Sequence, residues 1–236
     1  MSTPALKDPD AIFEANGQQP LSFEDLTERA AVKLTSLLRL VARTNWPLFQ
    51  ENIIPNEQRT KTGLTAIIYR MELESTGNSV DLTKPAKVDV KISLAHAGEG
   101  KDRRIISVSD IGLWGNAIRE NNYVLAARVY IHHVFTRPFG PPENRRVTEL
   151  EAPLGFSKPF PDRKIDFLRP EDLLSPPEGL KPLHSDLSDG EPHVWAYELT
   201  DLNQHVHAMD YVGTGITFAA DQMARVGHPP GDYYFS

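Results

Sequence analysis

Between residues 65 and 135 the chain alternates apolar and polar side chains in four successive runs, and that period of two excludes an all-helical first half. In the clearest run Val88, Val90, Ile92 and Leu94 point one way, while Lys87, Asp89, Lys91 and Ser93 point the other. Gly98-Glu99-Gly100-Lys101-Asp102 then supplies a hairpin-like turn into a run from Arg104 to Ser109. Upstream, Thr65 to Leu73 alternates with Ile67, Tyr69, Met71 and Leu73 expected on one face and Ile68, Arg70, Glu72 and Glu74 on the other. A fourth run covers Tyr123 to Phe135, where adjacent His132 and His133 must face opposite sides, one toward the core and one toward solvent.

One helical pattern precedes these runs. Ser22 can cap it, with Asp25 three residues on in capping-box fashion, and apolar residues recur at Leu26, Ala30, Leu34, Leu37, Leu38 and Val41. This predicts an amphipathic helix over 23–43, broken by Pro47 and the stretch from Asn52 to Asn56, with the leucine stripe packed into the core. A helix followed by four antiparallel strands predicts an α+β unit over 22–136 in which a sheet curls round a helix. Residues 1–21 are left as an N-terminal tail.

Composition narrows the partners. The formal net charge of −7 and pI near 5.6 exclude a general affinity for nucleic acid and leave no polybasic patch for a membrane. With no cysteine, disulfides, zinc ribbons and thiol nucleophiles are excluded, so any catalysis must use oxygen and nitrogen groups. The N-terminal residues lack a basic-then-apolar leader, and no stretch approaches the ~20 apolar residues that span a bilayer, which predicts a cytoplasmic location.

Residues 137–192 hold 11 of the 19 prolines, which read as a connector because proline fixes its own φ and cannot donate to a strand ladder. Its apolar residues, among them Leu154, Phe156, Phe160 and Phe167, predict that it packs on the first unit. Its arginines and lysines, offset by neighbouring carboxylates, read as a solvated face. Residues 193–236 then open a second unit: a strand-like His193 to Leu199, a polar turn, and a helix from about His207 to Val226 ending at Gly227. Gly213-Thr214-Gly215 inside that helix lacks the third glycine of a dinucleotide fingerprint and reads as close helix packing.

The polar turn is the candidate site. Asp201, Asn203 and His205 place a carboxylate, a carboxamide and an imidazole in five residues where a strand becomes a helix. The free N–H groups of the helix start can hold developing negative charge, and the carboxylate or imidazole can accept a proton from water. Each also has an ordinary structural use, since Asp is a common helix cap. His205, His207 and Asp210 lack a zinc-site spacing such as His-Glu-x-x-His, so no metal is expected.

Asp201-x-Asn203-Gln204-His205-Val206, followed by Tyr211 on a long helix, resembles the motif of the second hotdog domain in acyl-acyl carrier protein thioesterases. The first unit is similar to the first hotdog of a double-hotdog protein. The resemblance implies an α+β double-hotdog fold, each antiparallel sheet wrapped round a long helix, and hydrolysis of an acyl thioester in fatty-acid or polyketide metabolism. It implies Asp201 as general base or nucleophile, Asn203 orienting water or substrate, His205 polarising the attacking group, and Val206 and Tyr211 contacting substrate. The implied partner is an acyl-phosphopantetheine carrier protein or a coenzyme A thioester, with no metal or nucleotide cofactor and a homo-oligomer or pseudo-dimer as the assembly. The alternatives are a double-hotdog acyltransferase, decarboxylase or dehydratase, or a non-enzymatic acyl-binding protein. The second hotdog is expected to be incomplete within these 236 residues, which implies a fragment, a truncated reading frame or a sheet completed by another chain.

Overall fold

The computed structural model describes residues 12–55, 59, 61–120, 122–148, 150, 164–165, 208–225 and 227. Five strands, β1 (Phe13–Gln19), β2 (Thr65–Ser75), β3 (Ala86–Ala97), β4 (Arg104–Asn116) and β5 (Tyr123–Thr136), form one antiparallel sheet in the order β1-β3-β4-β5-β2. Helix α1 (Leu34–Asn52) touches all five strands, so the sheet curls round it as the α+β pattern predicts. A second helix, α2 (Ala208–Arg225), packs against α1.

The alternation drives this arrangement. Val88, Val90, Ile92 and Leu94 on β3 lie beside Ile111 and Leu113 on β4 and Val129 and Ile131 on β5, all turned inward and almost fully buried. Removing that apolar surface from water stabilises the layer by about 25 cal/mol for each Å² buried. The β3–β4 hairpin turns where predicted, through a short 3-10 turn at Gly100–Asp102.

Four local expectations are corrected. Residues 1–21 are not wholly a tail, because β1 lies there and pairs with β3 from Phe13↔Ile92 to Gln19↔Ala86. Its Asn, Gly and Gln residues carry little strand preference, and the free edge of β3 supplies the order they lack.

The helix does not begin at Ser22. Ser22 and Asp25 do form the expected reciprocal contact, with Ser22 N–H and Oγ–H donating to Asp25 Oδ2 at 2.9 and 2.8 Å, but it closes a 3-10 turn at Phe23–Asp25. The chain then folds back through Thr27–Ala31, where Ala30 adopts φ 59°, and α1 starts only at Leu34. A left-handed alanine cannot belong to a right-handed helix.

Pro47 does not end α1 either. It lies in the helix on its exposed side, and Arg43, whose carbonyl loses a donor, is itself an exposed residue. The inward stripe continues through Thr44, Asn45, Leu48 and Phe49, and its two polar members hide the period from a hydropathy reading.

In β2 the pairing slips between Ile68 and Arg70, a bulge at Tyr69. The inward residues are Ala66, Ile68, Met71 and Leu73, so the expected phase holds only after the bulge, and Ile67 is left exposed.

The beginning of the connector lies against the sheet: Val147 is buried, and the Ile105 N–H donates to its carbonyl. Ile165 N–H donates to the carbonyl of His96 on β3 at 2.9 Å, and Lys164 pairs with Glu99. No described helix is long and apolar enough to cross a membrane.

Candidate functional site

Of the expected site residues, Tyr211 is described; Asp201, Asn203, His205 and Val206 lie outside the described residues. What the structure positions is the helix they lead into. Met209 and Val212 of α2 pack on the hydrophobic core, and Asp210 lies in its first turn, where a negative charge complements the helix dipole. Tyr211 is more than half exposed, two residues round the helix from Met209 and turned away from that contact. A shallow, open groove of roughly 550 Å³ runs along α2 past Asp210, Gly213, Thr214, Thr217 and Phe218. Beyond their own stretch of α2, no described atom lies within 4 Å of where a side chain on Gly213 or Gly215 would begin, so the close helix packing expected of these glycines does not occur among the described residues. No group of three metal-binding side chains occurs among the described residues.

A second set of polar groups lies inside the fold, between α1 and the sheet. Ser107 and Ser109 on β4 face inward, and Ser107 stands opposite His133 of β5, with Ser107 Oγ 3.5 Å from His133 Nδ1. The His133 ring lies 5.0 Å from that of Phe49 on α1. Burial, with a smaller push from His132, drives His133 down to about 4, so the imidazole is neutral at physiological pH. Its neighbour His132 faces the other side of the sheet, within 3.2 Å of the Tyr69 hydroxyl, and is also lowered by burial and by Arg70. The expected division of the two histidines between core and outer face is thus observed.

Asn45 of α1 is 5% exposed and Ser109 is fully buried, and among the described residues nothing hydrogen-bonds Asn45 Oδ1 or Ser109 Oγ. Sequence reasoning missed both. The available signal was a pair of serines at inward positions of a strand whose other inward residues are Ile105, Ile111 and Leu113.

No protein-family model matches the sequence, and no curated protein matches it. Solved structures do. The chain is similar to a 12:0-ACP thioesterase from Umbellularia californica, with 12% identity and a TM-score of 0.53 over 91% of this chain and 77% of that one. It is also similar to an acyl-ACP thioesterase from Bacteroides thetaiotaomicron, with 10% identity and a TM-score of 0.50 over 90% of this chain and 76% of that one. At such identities the likeness is one of fold, and the fold is the hotdog.

Proposed function

We propose that the protein hydrolyses an acyl thioester carried by an acyl carrier protein or coenzyme A, in fatty-acid or polyketide metabolism, with its site at the start of α2. The observation that carries this reading is the seating of α2 on α1. His205 precedes Ala208, the first residue of α2, by three positions in the sequence, so the expected polar turn leads directly into that helix. The first turn of α2, through Met209 and Val212, rests on the core of the first hotdog. The acyl chain then lies between α1 and its sheet, with the thioester carbonyl near the beginning of α2. Both solved neighbours named above are acyl-ACP thioesterases, which agrees with this substrate class.

In the reaction Asp201 takes a proton from water and the oxygen attacks the thioester carbonyl. N–H groups at the helix start hold the oxyanion. With His205 polarising the attacking water, the carbon–sulfur bond then breaks, Asp201 returns the proton it took to the leaving sulfur, and a free acid and a pantetheine thiol result. Asn203 orients the water, and Val206 and Tyr211 contact the substrate. The test is release of free thiol from decanoyl-coenzyme A and from a decanoyl carrier protein. The wild type should turn both or one of them over, and His205→Ala and Asp201→Asn should each lower the rate by about 10²–10⁴-fold. A wild type that releases no thiol, or variants that match it, would end this reading.

A further inference from the structure

At one end of the sheet the fold gathers arginines that lie far apart in sequence. The Arg137 N–H donates to the Arg145 carbonyl at 2.9 Å and Thr136 pairs with Arg146, so the segment after β5 folds back beside it. That segment also passes the start of β4, where the Ile105 N–H donates to the Val147 carbonyl. Arg146 is thereby set close to Arg104, whose guanidinium is pushed below its ordinary value by burial and by the Arg146 charge. Asp102 and Glu143 stand against Arg104, Arg137, Arg145 and Arg146, and Lys164 cancels Glu99. Among the described residues this edge is net positive, in a chain of formal net charge −7.

Within the same loop Phe139 is 81% exposed. A single exposed aromatic is ordinary on a protein surface, but this one stands on a braced loop. The Gly140 N–H donates to the Arg137 carbonyl, the Asn144 N–H to that of Pro141, and Arg145 Nε to that of Gly140. Pro138, Pro141 and Pro142 each fix their own φ. A loop already held in one conformation loses little entropy when a partner settles on it. Aromatic rings and arginines are the side chains that carry most of the energy of protein–protein contacts. Small ligands are instead held in concave sites that bury most of their surface, and a projecting ring offers none. A protein partner brings the concavity itself.

We propose that this edge docks an acidic protein surface with an apolar seat for Phe139, and that the partner is the carrier protein bearing the acyl group rather than coenzyme A. The identity of the partner rests on the acyl-thioester reading above; the sign and shape of the surface do not.

The probe is a decanoyl carrier protein whose acyl group is joined through an amide and so stays in place, titrated into the intact protein by calorimetry beside the corresponding coenzyme A amide. Carrier binding should weaken roughly tenfold or more between about 50 and about 500 mM salt. Phe139→Ser and Arg146→Glu, both at exposed positions, should each weaken it roughly tenfold, with a smaller loss for the coenzyme A amide. Asp102→Asn removes an opposing carboxylate and should tighten carrier binding about two- to threefold, a direction that loss of a merely structural ion pair does not produce. Circular dichroism reports whether each variant is folded. Binding indifferent to salt, carrier binding that survives in folded Phe139→Ser or Arg146→Glu, looser binding in Asp102→Asn, or equal losses for the two ligands would overturn the proposal. Thiol release from decanoyl-coenzyme A with no binding of the carrier would overturn it and leave the hydrolase reading standing. Salt-sensitive carrier binding that both variants lose, with no thiol release from any thioester, would leave the docking surface standing and remove the hydrolase reading.

Discussion

His133 links the stability of the fold to pH. Its side chain is buried against Phe49, and its pKa lies at about 4 where an ordinary histidine has 6.5. Between those values the unfolded chain binds a proton that the folded one does not, so stability rises with pH across this window. The contribution is whole above about pH 6.5 and is lost progressively as pH falls toward 4, amounting to about 3 kcal/mol. Urea unfolding at a series of pH values should show this decline, and His133→Gln should flatten it. A wild-type midpoint that does not move between pH 7 and pH 5 would contradict it. The sequence made the split between His132 and His133 legible, because adjacent residues in a strand must face opposite sides. It left open which one is buried, since that depends on where α1 lies. Asn45 and Ser109 were illegible for a related reason: a polar side chain at an inward position breaks the hydropathy pattern that identifies inward positions.

At the scale of elements, local signals were read correctly and extended too far. The Ser22–Asp25 contact is real, and so is the leucine stripe of α1, but Ala30 separates them. A left-handed conformation costs an L-residue roughly 1–2 kcal/mol, and nothing in alanine announces it. Ala30→Gly should therefore raise stability by about 1 kcal/mol, read as a higher urea midpoint at unchanged slope. A lower midpoint would mean that the lost methyl contact with the core outweighs the relief of backbone strain. Asp25 anchors the same turn. Burial pushes its carboxyl up, but the Arg39 guanidinium and the Ser22 donors more than offset this and leave it below the usual carboxylate range. The bulge at Tyr69 follows the same logic, because one extra residue inverts the alternation of β2 without altering its composition.

Helix α1 meets the sheet most extensively at β1, a contact between an element that was predicted and one that was not. A Cβ on Gly17 would collide with Thr44 Oγ1 and stand 3.2 and 3.3 Å from Thr44 Cγ2 and Cβ, so Thr44 would have to turn and shift to admit it. Gly17→Ala should destabilise the protein by about 1–3 kcal/mol, as overpacking does. Adding Thr44→Ala should recover most of that loss, and a double-mutant cycle measures the coupling. Additive effects would show that α1 does not rest on β1 at this point. Alternation, charge and the single helix stripe determined from sequence alone that a helix would be wrapped by an antiparallel sheet, because those periods are set by backbone geometry within each element. Tertiary structure decided the rest: the ordering of β1, the true start of α1, the phase of β2, and the burial of Asn45 and Ser109. Each of these depends on which surfaces meet, and the free energy of such contacts belongs to pairs of segments far apart in the chain.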